Sequence, residues 1–214
     1  MLLRDGADGL EVFMLRRHSA MATSAGRHVF PGGLVDAADY GNRTADEAFV
    51  IAAIRETFEE TGVLMATSNT GQQLDLEAER IALVAHQTTF DDVLARHNLT
   101  AELDALRPWS HWITPLYEPR RYDTRFFVAR VHDGIDTREV AGGEADLAAW
   151  VRPADALATA DVLLMPPTEV TLRELNTYES AAAVWAAASQ RRVTPILIAI
   201  DLDTIPPRFV IGSP

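Results

Sequence analysis

Residues 54–63, IRETFEETGV, crowd the glutamates Glu56, Glu59 and Glu60 into five positions and follow them with Gly62. Helical periodicity runs through residues 45–61. Thr44 and Glu47 form a T-x-x-E capping box, in which each side chain satisfies a backbone N–H of the other. Gly62 is the residue type that ends a helix in a left-handed cap. At about 100° per residue, Val50, Ile51, Ile54, Thr57, Phe58 and Thr61 share one side and are expected to pack on a sheet. Glu56, Glu59 and Glu60 fall on the opposite side, at i, i+3 and i+4. Ala52 and Ala53, one turn earlier on that side, are small enough to let a loop come close.

This acidic face is unfavourable by itself. Like charges at i,i+4 destabilise a helix by roughly 0.2–0.5 kcal/mol. Acids near a helix C-terminus oppose the macrodipole by about 0.3–1 kcal/mol when exposed. Arg55, four residues before Glu59, offsets part of this, and a divalent cation would offset far more. Clustered carboxylates are the hard oxygen ligands that Mg²⁺ or Mn²⁺ prefers. A merely solvated acidic face is the competing reading of E-x-x-E-E taken alone.

The surroundings decide between them. Glu47, seven residues, then RETFEETGV give E-x7-R-E-x-x-E-E-x-G-V. This resembles the Nudix box of the Nudix hydrolases, G-x5-E-x7-R-E-U-x-E-E-x-G-U, where U is a bulky aliphatic residue. The resemblance implies a Nudix-type α/β/α sandwich around a mixed sheet, and metal-dependent hydrolysis of a nucleoside diphosphate linked to another group. By position in the box, Glu56, Glu59 and Glu60 are the metal ligands. Glu59 and Arg55 belong to the catalytic set, with Arg55 orienting a carboxylate, best Glu59. Glu47 is a capping or supporting residue behind the ligands. Thr57 departs from the aliphatic position, with a methyl that can still face the core. Gly41 satisfies G-x5-E literally, but the family places its glycine in a PGG after a strand, here Gly32-Gly33. Gly33 is therefore taken as the equivalent, which makes the loop of residues 34–46 eight residues longer than usual.

Many Nudix enzymes use a further glutamate from outside the box as ligand or base. Glu144, six residues before Trp150 in EADLAAW, fits that role, with Glu139 as the alternative. Substrate anions need cationic donors, and arginine suits bidentate phosphate contacts. Arg16, Arg17 and Arg27 precede HVFPGG, and Arg120, Arg121 and Arg125 surround PRRYDTRFF. Arg17, Arg27, His28, Arg121 and Arg125 are the candidates for substrate binding; strand charges facing solvent are the alternative.

Over about residues 15–175 the stretches LRRHSAMATSAGRHVFPGG, RETFEETGVLMA, WITPLYEPRRYDTRFFVA and MPPTEVTLREL look like a Nudix subgroup related to the peroxisomal coenzyme A diphosphatase of mammals. That resemblance implies coenzyme A or acyl-coenzyme A as substrate. NADH, ADP-ribose or another nucleoside diphosphate derivative is the alternative, and a non-catalytic ligand sensor a third reading.

Composition agrees with a globular α/β chain. It has 214 residues, 48% hydrophobic and 23% charged, and no cysteine for disulfides or thiolate sites. A reducing cytoplasm fits, and VIGSP is not a peroxisomal address. The net charge of −12 argues against nucleic acid, and apolar runs such as PILIAI are too short to cross a membrane. Strand patterns at 10–17, 28–33, 120–133 and 146–151 alternate with helical ones. Helices are expected around 76–97, and TPILIAIDLD and RFVIG form a closing strand pair. The chain reads as one domain, 1–214, with a long helix at about 168–192 as a C-terminal extension. Its SAAAVWAAAS face is expected to pack within the monomer or at a homodimer interface.

Overall fold

The computed structural model describes residues 1–18, 26–68, 74–115, 118–131, 145–159, 162–201 and 208–212. In chain order the elements are β1 (Leu2–Gly6), β2 (Gly9–Arg17), β3 (Arg27–Val29), α1 (Ala37–Tyr40), α2 (Ala45–Thr61) and β4 (Ala66–Ser68). Next come α3 (Glu77–Val84), α4 (Phe90–Arg96), β5 (Leu99–Ala101), β6 (Arg107–Ile113), β7 (Asp123–Arg130), β8 (Ala145–Val151) and α5 (Pro153–Ala158). The last are β9 (Leu163–Leu164), α6 (Pro166–Leu175), α7 (Ala181–Gln190), β10 (Pro195–Asp201) and β11 (Arg208–Gly212).

Among the described residues one mixed sheet runs β11-β10-β6-β7-β1-β2-β3-β9, and β8 also pairs with β2. The β1–β7, β6–β10 and β3–β9 pairs are parallel, and the others antiparallel. Side chains alternate faces along a strand, and here both faces are buried. Leu2, Phe13, Leu15, Phe127 and Ala129 enter one core with Ile51, Ile54 and Phe58 of α2 and with residues of α3 and α4. Their neighbours Leu3, Val12, Met14 and Val128 enter a second core with Trp109, Leu172, Leu175, Val184 and Ala188. The result is the expected helix–sheet–helix sandwich. No helix among the described residues is long and apolar enough to cross a membrane.

The long helix expected over 168–192 is instead two helices, α6 and α7, separated by residues 176–180. The Ser180 side chain accepts from the Ala183 N–H and starts a new helix, a capping preference that outweighs continuous periodicity. The alanine face of α7 is buried inside the chain, through Ala181, Val184 and Ala188. The first strand expected from sequence, 10–17, is β2, and β1, which precedes it and pairs with it through the turn between Gly6 and Gly9, was not expected.

Candidate active site

Helix α2 builds the site. Thr44 accepts from the Glu47 N–H while the Glu47 carboxylate accepts from the Thr44 N–H at 2.8 Å. At the other end Gly62 takes φ +75° and donates to the Phe58 carbonyl. The apolar face sinks into the core with Thr57 and Thr61, and the Thr61 hydroxyl donates to the Thr57 carbonyl at 2.6 Å. Buried Arg80 donates to the Glu59 carbonyl at 2.9 Å. A cation thus stands at the C-terminal end of the helix, where the macrodipole favours one.

Arg55 is the hub, and it too is buried. Its Nε and Nη2 donate to the two carboxylate oxygens of Asp39 at 3.0 and 2.9 Å. Nη2 also donates to the Leu34 carbonyl at 2.8 Å. Nη1 donates to Glu56 at 2.8 Å and to Glu59 at 3.3 Å. All five guanidinium N–H groups are therefore engaged. Burial opposes the Arg55 charge, but its hydrogen bonds to Asp39 and the charges of Glu56, Asp39 and Glu59 hold its pKa well above the ordinary value.

The loop after β3 closes against the same helix. Gly33 lies so close that a Cβ there would stand 2.5 Å from the Glu56 carboxyl. The Gly32 N–H donates to Glu60 at 2.7 Å. This contact identifies Gly33, rather than Gly41, as the glycine that the glutamates need. The loop holds the short helix α1, capped by a reciprocal Asp36–Asp39 box. Arg43 pins it to Asp91 at the start of α4.

Two cavities flank the hub. One, of about 220 Å³, is lined by Glu56, Ala52, Ala53 and Phe49 of α2, by residues 30–35 and by Tyr122–Phe127 of the β7 side. The other, of about 170 Å³, is lined by Glu59, Arg55, Asp36, Asp39, His86 and Thr89. Arg125 lines the first cavity, lies 4.0 Å over the Phe49 ring and pairs with Asp46. The other four candidate substrate residues do not line it. Arg27 donates to the Leu164 carbonyl at 2.9 Å and thereby holds β9. Arg121 donates to the Thr114 carbonyl at 3.1 Å. His28 sits within β3 between β2 and β9. Arg17 ends β2, and its buried Nε has no hydrogen-bond acceptor among the described residues. Glu139 and Glu144 lie outside the described residues.

Glu47 does not stand behind the ligands. Its carboxylate is exposed and serves the Thr44 cap. The residue that holds Arg55 is Asp39, 2% exposed, which sequence reasoning missed. The signal was present: five residues separate Gly33 from Asp39, the box spacing, with aspartate for glutamate. The extra eight residues therefore fall between Asp39 and Arg55, and Glu47 fits the literal pattern by coincidence.

Glu56, Glu59 and Glu60 supply the hard oxygens that a divalent ion takes. Burial pushes the Glu56 carboxyl up to about 7, against the pull of Arg55 and with the help of Glu59. Burial likewise raises Glu59. A buried pair short of positive charge suits a cation. Among the described residues no three potential ligands are already gathered around one point; Glu56 and Glu59 face Arg55, and Glu60 faces Gly32. The donor chemistry fits, and the carboxylates would turn toward an ion.

The NUDT19 Nudix domain family matches residues 42–175. A Caenorhabditis elegans protein named as nudix hydrolase 7 is 34% identical over 163 residues, covering 74% of this chain and 53% of that protein. The human acyl-coenzyme A diphosphatase NUDT19 is 28% identical over 239 residues, covering 81% of this chain and 62% of that protein. The chain thus spans about half to two thirds of the length of these curated relatives. The crystal structure of a Nudix hydrolase from Alicyclobacillus acidocaldarius superposes with a TM-score of 0.76 at 28% identity, over 88% of this chain and 92% of that one. With the family matched over most of the chain, Glu56 and Glu59 of its box held by Arg55 and its sandwich reproduced, this chain belongs to the Nudix hydrolases, in the NUDT19 Nudix domain family.

Proposed function

We propose that the chain is a divalent-metal-dependent diphosphatase that cleaves coenzyme A or acyl-coenzyme A to 3′,5′-ADP and (acyl-)phosphopantetheine. The observation that carries it is the cavity that joins Glu56 on one wall to Arg125 on the other. A carboxylate suited to a cation and an arginine suited to a phosphate then face one space. The similarity to acyl-coenzyme A diphosphatases supports the choice of substrate.

Glu56, Glu59 and Glu60 would hold Mg²⁺ or Mn²⁺. Such an ion, when bound, lowers the pKa of water and neutralises phosphate charge. Arg55 donates to Glu56 and Glu59 and keeps both near it, and Gly33 leaves Glu56 its space. Arg125 would steady a substrate phosphate. Glu144 is proposed as the base that takes the proton of the attacking water. The water oxygen bonds to one phosphorus, the bridging P–O bond breaks, and the bridging oxygen leaves with the other phosphate.

The test is a substrate panel of coenzyme A, acyl-coenzyme A, NADH and ADP-ribose with Mg²⁺, Mn²⁺ or EDTA, products identified by mass. Coenzyme A species are expected to turn over only with metal. A hundredfold preference for NADH or ADP-ribose would overturn the substrate assignment. Activity undiminished in EDTA would overturn the metal.

A further inference from the structure

We infer that the apolar part of the cavity beside Glu56 is a specificity site for the methyl-bearing carbon next to the diphosphate of coenzyme A, and that Ala53 sets its size. The inference rests on the coenzyme A reading above. Phe49, Ala52, Ala53 and Glu56 stand at i, i+3, i+4 and i+7, so they form one stripe of α2 along the cavity wall. Next to the Glu56 carboxylate this stripe offers two methyl groups and then a ring. Met65, Leu106 and Phe127 line the same space. Of the other charged side chains in the lining, Asp123 is taken up by His111 at 2.6 Å, and Arg125 is the proposed phosphate contact. The volume of about 220 Å³ exceeds the roughly 150 Å³ in which an apolar cavity takes a benzene ring. The mouth is apolar too. Two of the seven large hydrophobic side chains left exposed among the described residues, Leu34 at 66% and Tyr122 at 43%, line this cavity. Both are held through their backbone. Arg55 donates to the Leu34 carbonyl at 2.8 Å. The Tyr122 N–H donates to the Thr114 hydroxyl at 3.0 Å, and its carbonyl accepts from the Thr114 N–H at 3.0 Å. The clamp is thus in place before a ligand arrives.

The chemistry of the candidate substrates selects the occupant. A group that shares one cavity with Glu56 and Arg125 must lie within a few bonds of the diphosphate. In NADH and ADP-ribose both sides of the diphosphate carry a ribose. Its ring oxygen and hydroxyls would lose water here and find no partner on the apolar stripe, which is costly. Coenzyme A has a ribose on one side only. On the other side, one methylene from the phosphate ester oxygen, stands a quaternary carbon with two methyl groups. Those methyls can bury against Ala52, Ala53 and Phe49 while the diphosphate stays between Glu56 and Arg125.

The experiment compares kcat/KM, with Mg²⁺ present, for coenzyme A and for its analogue with hydrogens in place of the two methyls. The wild type is expected to prefer coenzyme A by about 10–200-fold, the range for small hydrocarbon groups in an apolar pocket. Ala53→Leu, which fills the space, is expected to bring the two substrates within about threefold of each other. Leu34→Ser, at an exposed position on which folding does not depend, is expected to lower the same preference by about threefold or more. Calorimetry with the two products separates the halves of the substrate. In Ala53→Leu, 4′-phosphopantetheine should lose about tenfold or more in affinity, and 3′,5′-ADP should stay within about threefold. If Ala53→Leu does not fold, Ala53→Val takes its place. A wild-type preference under about threefold, a preference unchanged by either substitution, or an affinity loss that spares 4′-phosphopantetheine would overturn the inference. A wild-type chain that leaves coenzyme A intact while hydrolysing NADH or ADP-ribose sinks the coenzyme A reading, and the inference with it. Coenzyme A turnover that is indifferent to the methyls sinks the inference alone.

Discussion

Gly33 has no side chain because the Glu56 carboxyl occupies the space where one would stand. Gly33→Ala must push Glu56 aside, and a displacement near 1 Å costs about 10²-fold in rate. We expect kcat/KM to fall by about that factor while thermal stability changes little, measured by kinetics and melts on the same sample. Glu56 also gives the metal-free chain a pH dependence. Its folded pKa is about 7, above the ordinary value of 4.5. A carboxyl with a raised folded pKa favours folding below the unfolded pKa, and that contribution is lost as pH rises through the folded one. The metal-free chain should therefore lose on the order of 1–3 kcal/mol of stability between about pH 4.5 and 7. Glu59 shifts in the same direction and adds to the slope. Thermal melts should show it, Glu56→Gln should flatten it, and Mg²⁺ should restore stability at pH 7.5. A flat profile in EDTA would contradict the account.

At the scale of the element, α2 has strong local signals at both ends and carries partly buried carboxylates between them. Thr44→Ala removes the cap that accepts from the Glu47 N–H and should cost about 1 kcal/mol. Because the cap lies three turns from the glutamates, a denaturant melt should register the loss while Mn²⁺ affinity stays unchanged. The helix and its caps were legible from residues 44–62 because their interactions are local. The loop before it was only half legible. Glu47 satisfied the box spacing literally, and nothing in the linear sequence shows that its carboxylate turns back to Thr44 while Asp39 reaches Arg55 sixteen residues on. The break between α6 and α7 was hidden for a related reason: an alanine-rich stretch looks helical throughout, and the cap at Ser180 decides where the second helix begins.

For the whole molecule, the two cores have different tasks. The one under α2 supports the glutamates, and the other holds α6 and α7 against the opposite face of the sheet. Leu172, fully buried in the second core, should lose about 2–5 kcal/mol when cut to alanine. At a temperature where Leu172→Ala is still folded, kcat and KM should match the wild type; a large change in kcat would mean that the cores are coupled. The sandwich itself was legible, since alternating strands with helical stretches between them leave few other layers. The pairing order was not. Strand partners are set by contacts distant in sequence, so short strands such as β1 and β9 carry little signal of their own. Arg27, read as a candidate for substrate binding, donates instead to the Leu164 carbonyl and so holds β9.

The parallel pairings of β1 with β7 and of β3 with β9 also set the order of events in time. Leu2 lies beside Ala129, and Arg27 beside Leu163. On a growing chain the β1–β2 hairpin and helix α2 can form at once from neighbouring residues. The wall that carries Arg125 does not yet exist, and the latch on Leu164 comes later still. Non-local contacts of this kind slow folding because loop closure must precede any gain from them. Helix α2 can thus form from local residues alone, while the cavity it faces is complete only when the second half of the chain arrives.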